Sequence, residues 1–403
     1  MPDQNLRPTS PGSTASSTII WIIGFFAFLN VYSMQSVLPL LMLDFHASPV
    51  QAGATVGATV LAVALVSPFM GMLSDALGRK RILCFSLFAL TVPTALIPAA
   101  DTLATIVAMR FVQGLFIPGI VVVIIAYIAE EFSAQGVARM TTIYVGGTVM
   151  GGFCGRFITG HAGDLLGWRG AFATLAALNL LGAALTLWRL PPSARFTPNR
   201  QIGKALRTLR RHLQNRRLLA AGGVGFCVLF SLVGSFTYVN VLLASPPFNL
   251  SPAGLANIFS VYLLGVVVTP IAGRFIVRAG FRRSLLCALS ISAVGLLLTL
   301  VPSLAAVVCG LAACSSGAFM CQAATISFIA DCVSEGRSLA TGLYNLAYYA
   351  GGAAGTGIAG VAFETHGWPG SVSAIITVQC LAAAIAWFGW RKPQAPAKGA
   401  GER

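Results

Sequence analysis

Two arginines stand inside apolar sequence. Arg110 lies seven residues into a run that begins at residue 103, and Arg156 sits at a similar distance from the end of the run 140–163. At helical rise, each is about 10 Å from the edge of its run. A charge in such surroundings nearly always faces a bundle interior or a watered cavity. Two functional roles are open to the pair: binding an anionic group, or acting as an electrostatic gate that answers proton movement. For Arg110 a structural role is open as well, hydrogen bonding to carbonyls of the first apolar run. Proton carriage usually needs an embedded carboxylate or histidine, and no Asp or Glu lies in the interior of any apolar run. Asp44, Asp164, Glu364, His46, His161 and His366 all fall near run ends, where they read as solvated loop or helix-end groups.

A second constellation is the joint Gly71-Met-Leu-Ser-Asp75-Ala-Leu-Gly78-Arg79-Lys80-Arg81. One apolar run ends there in an acid, a glycine turn and three cations, and the next begins at once. Gly71 permits close helix packing and Gly78 a permissive backbone. Asp75 beside Arg79, with Glu130, Glu131 and Arg139 following, suits a set of charge-assisted hydrogen bonds near helix ends. The alternative is a group of exposed ion pairs worth little. A weaker copy, Gly273 to Arg283, has Val277 in place of the acid.

The remaining polar residues within the runs are sparse: Asn30, Tyr32 and Gln35 in the first, Gln113 in the fourth, Tyr144 in the fifth, Tyr238 and Asn240 in the seventh, Gln322 in the tenth, and Tyr344, Asn345, Tyr348 and Tyr349 in the eleventh. The third, sixth, ninth and twelfth carry almost none, which suits helices facing lipid. Singly, each polar side chain is more often interhelical glue than a ligand contact. Together they outline a cavity with aromatic faces, a few amides and one or two arginines.

The elements that must position these residues follow from composition. With 56% hydrophobic and 9% charged residues, 403 residues do not make an ordinary soluble domain. Twelve runs are long enough to span a bilayer: 18–43, 52–73, 82–100, 103–127, 140–163, 168–190, 218–243, 253–276, 284–302, 304–328, 339–363 and 369–390. They must be helices, because open backbone is not satisfied in lipid and the runs are too long for barrel strands. The net charge of +15 does not mark a nucleic-acid binder, since its cations sit in short loops between runs. Arg79, Lys80, Arg81, Arg139, the stretch from Arg189 to Arg217, Arg274, Arg278, Arg282, Arg283, Arg337, Arg391 and Lys392 share one side. The positive-inside rule makes that side, and both termini, cytoplasmic.

The domain organisation read from this pattern is a disordered N-terminus over 1–17, six-helix bundles over 18–190 and 218–390, a basic linker over 191–217, and a tail over 391–403. No cleavable leader is recognised, so the first run is expected to be retained as a span. The linker has eight Lys/Arg and no acid, and Ile202, Leu206, Leu209 and Leu213 recur at helical spacing. It reads either as an amphipathic helix on anionic lipid or as a solvated connection. The nine cysteines, with no Cys-x-x-Cys pair, read as small buried hydrophobes, not disulfides or metal ligands. No cofactor, metal site or catalytic group is expected, because there is no nucleotide motif, ligand cluster or triad.

The two bundles repeat each other. At a constant offset of 200, Glu131 matches Asp331, Gly136 matches Gly336, Tyr144 matches Tyr344, Gly151 matches Gly351, Gly155 matches Gly355, Gly160 matches Gly360, Asp164 matches Glu364 and Trp168 matches Trp368. Bundles repeated in the same orientation are related by an axis along the membrane normal and suit rocking around a site at the midplane.

The joint Gly71-x3-Asp75-x2-Gly78-Arg79-Lys80 resembles the signature loop of the major facilitator superfamily, and Arg110-Phe-Val-Gln113-Gly114 its fourth-span element. Gly151-Gly-Phe-Cys-Gly155-Arg156-Phe-Ile-Thr159-Gly160 is similar to the fifth-span motif of that superfamily's drug:proton antiporters, with Arg156 where they usually carry proline. With Gln35, Leu38-Pro39 and Tyr348-Tyr349-Ala-Gly351-Gly352, the chain looks most like the YnfM-type inner-membrane transporters. The resemblance implies an all-α membrane protein of two pseudo-symmetric six-helix bundles in a bacterial inner membrane, functional as a monomer. It implies alternating-access transport of a small solute, with efflux coupled to protons and with Asp75 and Arg79 locking the halves in one conformation. Uptake of a small organic anion is the alternative, and a non-transporting membrane sensor is the rival of another class.

Overall fold

The computed structural model describes residues 14–193, 210–333 and 337–390. Most of the expected N-terminal disorder, the linker positions Ile202, Leu206 and Leu209, Gly336 and the expected tail lie outside the described residues. Among the described residues the fold is helical without strands.

The first crossing is broken. Helix α1 (Thr14–Leu29) ends in a turn, a 3-10 segment covers Ser33–Val37, and α2 (Leu38–Asp44) leaves at a 45° bend. Pro39 stands in the first turn of α2, where its missing N–H is tolerated, and could not have continued α1 without loss of a backbone bond. Crossings two to four are α3 (Pro49–Leu77), α4 (Arg79–Leu96), and the pair α5 (Leu103–Phe116) and α6 (Pro118–Glu131), joined end to end. Ser48 opens α3 with a capping box to Gln51 and with Pro49 behind it. The long helix α7 (Ala134–Arg189) is two crossings hinged at Gly167, whose φ of 70° suits a glycine.

The second half repeats the plan. It comprises α8 (Arg216–Ala244), the broken crossing α9 (Pro252–Ile258), 3-10 Phe259–Leu263 and α10 (Leu264–Ala279), then α11 (Phe281–Leu298), α12 (Leu304–Cys332) and α13 (Arg337–Gly389). The last is again double, hinged at Gly367 with φ 64°. Twelve crossings result among the described residues. Two runs read as single helices, 18–43 and 253–276, are therefore interrupted, each by a 3-10 segment.

The duplication extends to packing. Gly151 and Gly155 of α7 lie so close to α1 that a Cβ would meet the carbonyls of Phe25 and Leu29. Gly351 and Gly355 of α13 stand in the same relation to the carbonyls of Phe226 and Phe230 in α8. Small residues one turn apart let two backbones touch, which is how helices associate where lipid removes the hydrophobic drive. Spans six and twelve, read as nearly free of polar groups, each bury an amide that faces the protein: Asn179 pairs with Asn30, and Gln379 donates to Ser292.

Candidate functional site

The molecule has a cationic end, carrying Arg79 to Arg81 and Arg278 to Arg283, and a charge-poor end. The two halves are knitted together toward the charge-poor end. Val50 of α3 donates its N–H to Glu364 of α13, and Gln35 donates to Thr237 of α8 at 3.0 Å. Tyr238 pushes its hydroxyl between Gly53 of the first half and Gly360 of the second, and donates to the Thr356 carbonyl. Further along, α3 and α13 stay in touch as far as Pro68 and Gly342.

Both broken crossings meet at Arg156, which is 2% exposed. Its Cζ lies 4.7 Å from the ring centre of Tyr32, at the break in the first crossing. It lies 4.8 and 4.5 Å from Phe259 and Tyr262, in the break of the eighth. Nε donates to Gln35 Oε1 at 2.8 Å and Nη1 to the Gly152 carbonyl at 2.7 Å. Its electrostatic neighbours are Tyr32 and Tyr262, and among the described residues no carboxylate pairs with it. A cation over an aromatic face gains about 0.5 to 2 kcal/mol, more when dry. Three rings from both halves thus hold one guanidinium.

The aromatic lining continues. Tyr348 lies 5.5 Å from Tyr344 and 5.4 Å from Tyr349, ring to ring. Tyr32, Tyr262 and Tyr349 are electrostatic neighbours of Tyr348, and Tyr32, Tyr144 and Tyr344 of Tyr349. The hydroxyls of Tyr144 and Tyr344, equivalent in the repeat, are buried without hydrogen-bond partners among the described residues. Gln322 and Asn345 are half-buried on the same half and make no side-chain bond among the described residues.

Arg110 has a different setting. It is fully buried and donates to the carbonyls of Asn30 and Val31, where α1 has ended, to Thr55 O, and to Gln113 Oε1. Gln113 passes the chain on to Thr94, and the Asn30 side chain is closed by Asn179. Carbonyls at a helix end carry partial negative charge, so the cation and the break stabilise each other. Asn240 turns back to the Phe236 carbonyl of its own helix.

At the cationic end, Arg79 is held by Asp75 and Glu130, each at 2.5 Å, and by Ser74. All of these belong to the first half. Glu130 closes the fork on Arg79, next to the expected Glu131; Arg139 is exposed and Gly71 lies in α3 above the cluster. Gly78, with φ 99°, makes the corner that brings Arg79 back onto Asp75, and Gly280 repeats it at φ 82°. At the charge-poor end, hydrogen bonds from Trp168 and Arg169 hold the Asp44 carboxyl below the usual carboxylate range.

Sequence reading missed Tyr262, Phe259 and Thr237. Each is an ordinary side chain in apolar surroundings, and only the breaks in the helices bring them to Arg156. The break at Pro39 was readable from the proline; that at Phe259–Leu263 carries no such mark.

A model described as Major Facilitator Superfamily matches residues 20–245 and 226–403. The chain is 28% identical to the uncharacterized MFS-type transporter YybF of Bacillus subtilis, covering 98% of each chain. It is 29% identical to the inner membrane transport protein YnfM of Escherichia coli, covering 95% of this chain and 92% of the relative. Among solved structures, a bacterial homologue of the human lysosomal transporter Spinster, inward-facing and unoccupied, superposes with a TM-score of 0.74 at 16% identity, covering 94% of this chain and 98% of the other.

Proposed function

The chain belongs to the major facilitator superfamily, whose members move small solutes across membranes, and from that premise we propose that it exports a small organic solute by alternating access. The observation that carries the mechanism is the distribution of contacts between halves. Gln35 with Thr237, Glu364 with Val50, and Arg156 with Phe259 and Tyr262 all bridge the halves toward the charge-poor end. At the cationic end, Arg79 gathers Asp75, Glu130 and Ser74 of the first half among the described residues. A carrier that rocks must break the first group to open one side and can recruit the second to close the other. The cationic end is assigned to the cytoplasm by the positive-inside rule, in a bacterial inner membrane, so the closed side faces out.

Arg110 is assigned to holding the broken first crossing, because its bonds run to internal carbonyls and to Gln113. Arg156, Gln35, Tyr348 and the half-buried Gln322 and Asn345 are assigned to the solute path. Exchange for protons is proposed as the driving force, in keeping with the antiporter-like fifth span. Counterflow in proteoliposomes, with a pH-sensitive dye inside, tests this reading. Solute exchange with an accompanying proton movement is expected; a protein that catalyses no counterflow of any solute across a broad charged and neutral panel is a sensor, not a carrier.

A further inference from the structure

The two buried arginines differ in what their hydrogens do. A guanidinium has five N–H donors in a fixed plane. Arg110 engages four of them: one on Nε, two on Nη1 and one on Nη2. Arg156 engages two, one on Nε and one on Nη1. Among the described residues, two donors on Nη2 and one on Nη1 have no partner, in a residue that is 2% exposed and has no carboxylate beside it. Unpaired charged donors in such a place are costly, and the cost falls when an anion takes them up.

We infer that Arg156 anchors a carboxylate, and that the solute carried is an organic monoanion with a planar, aromatic body. The inference rests on the transport reading above and deepens it. Three rings stand 4.5 to 4.8 Å from Cζ and pack around the guanidinium, so the N–H groups without a protein partner, on Nη1 and Nη2, are what a solute can meet. An edge offering two or more N–H donors suits the two oxygens of a carboxylate, in the planar match that arginine makes and lysine does not. A cationic solute would meet an uncompensated positive charge there. A neutral carbonyl could accept one of the hydrogen bonds but would leave the charge uncompensated and offer no second oxygen for a bidentate pair. Past the guanidinium the lining is tyrosine: Tyr348 and Tyr349 at 5.4 Å from each other, then Tyr344. Rings of that kind stack on a planar apolar body and gain most from an aromatic one. Both breaks in the helices lie at this point, which matches the way discontinuous spans form solute sites in carriers.

The probes are benzoate, 4-hydroxybenzoate and 2-naphthoate, with benzamide and benzylamine as their neutral and cationic counterparts. Thermal unfolding of the full chain in detergent reads binding without any need for flux. The carboxylates are expected to raise the midpoint saturably, and benzamide and benzylamine to leave it unmoved. Arg156→Gln should weaken carboxylate binding by roughly 10- to 100-fold, the range for losing charged hydrogen bonds. Tyr348→Leu should weaken 2-naphthoate more than acetate. Equal shifts from benzamide and benzoate, or a carboxylate shift undiminished in Arg156→Gln, would overturn the inference. The wild-type comparison of acid with amide stands even if a variant does not fold. Carboxylate binding without flux would count against the transport reading alone, and flux of other solutes without carboxylate binding against this inference alone.

Discussion

The carboxylate of Glu364 accepts the backbone N–H of Val50 at 2.9 Å, so a side chain of the second half caps a helix of the first. Val50 is in the first turn of α3, whose N-terminal donors point outward and carry the positive end of the helix dipole. The repeat offers no mirror of this contact: Asp164, the counterpart of Glu364, is one methylene shorter, exposed, and makes no bond among the described residues. The charge-poor end is therefore latched on one side of the pseudo-axis. Glu364→Gln should loosen it. A carboxylate at a helix N-terminus contributes about 0.3 to 1 kcal/mol, so the separated population should rise roughly two- to fivefold. Spin labels at His46 and His366, on opposite halves, would report it as a growing long-distance fraction. An unchanged distance distribution would remove Glu364 from the latch.

The Arg79 cluster makes a graded prediction. Asp75 and Glu130 both reach the same guanidinium, so either can hold it when the other is neutralised. Asp75→Asn and Glu130→Gln should each slow initial flux modestly at equal membrane abundance. The double variant should lose more than the two effects combined, because members of one ion-pair network do not add. Strict additivity would mean that the two acids serve Arg79 independently.

Much of this organisation was legible in the sequence, and the illegible parts share a cause. The twelve runs and the positive-φ corner at Gly78, with its copy at Gly280, follow from apolar length and from where glycine recurs, while Gly167 and Gly367 fall in the gaps between runs and prove to be hinges. These signals are local, and an internal repeat writes them twice. The break at Phe259–Leu263 is set by how two halves meet, which has no period along the chain, whereas the break at Ser33–Val37 had a mark in Pro39 that the apolar length of the run concealed. Asn179 gave no warning either: one amide in an apolar run looks the same whether it faces lipid or, as here, Asn30. Arg110 and Arg156 were equally visible as intramembrane charges. What separates them is the number of carbonyls within reach, a tertiary fact.

The seams between α1 and α7 and between α8 and α13 should tolerate no side chain. Gly151→Ala would drive its methyl into the Phe25 carbonyl, and Gly351→Ala into that of Phe226. Backbone is a rigid neighbour, so the helices must separate. Each substitution should lower stability by about 1 to 3 kcal/mol, the usual range for overpacking, and the two losses should be similar. Thermal unfolding of both variants in detergent checks this; a harmless substitution at either site would show that the seam opens freely.

Arg110 is predicted to matter for stability more than for selectivity. Three backbone carbonyls and Gln113 converge on it. Removing the cation leaves them unpaired, and breaking a buried charged network costs about 3 to 5 kcal/mol. Arg110→Met should fail to accumulate or unfold well below the wild type. Arg110→Lys, which cannot reproduce the planar fork, should fold with a lowered midpoint while its preference for acids over amides stays that of the wild type. A change of that preference would move Arg110 into the solute site.

A monoanion leaving the cell carries charge, and this gives a last prediction that needs no knowledge of the solute's name. Exported alone it moves one negative charge outward; exchanged for an entering proton it moves the equivalent of two. An elementary charge crossing 100 mV is worth about 2.3 kcal/mol, so an interior-negative potential should drive either process. Efflux of a carboxylate from proteoliposomes should accelerate when valinomycin and a potassium gradient make the interior negative, and slow when the potential is collapsed. Imposing a pH gradient at fixed potential separates the two cases, because it should change the rate only where a proton is exchanged. Flux indifferent to potential would mean that a proton travels with the anion in the same direction. That is the arrangement of an accumulating importer, and the direction proposed for this carrier would then be reversed.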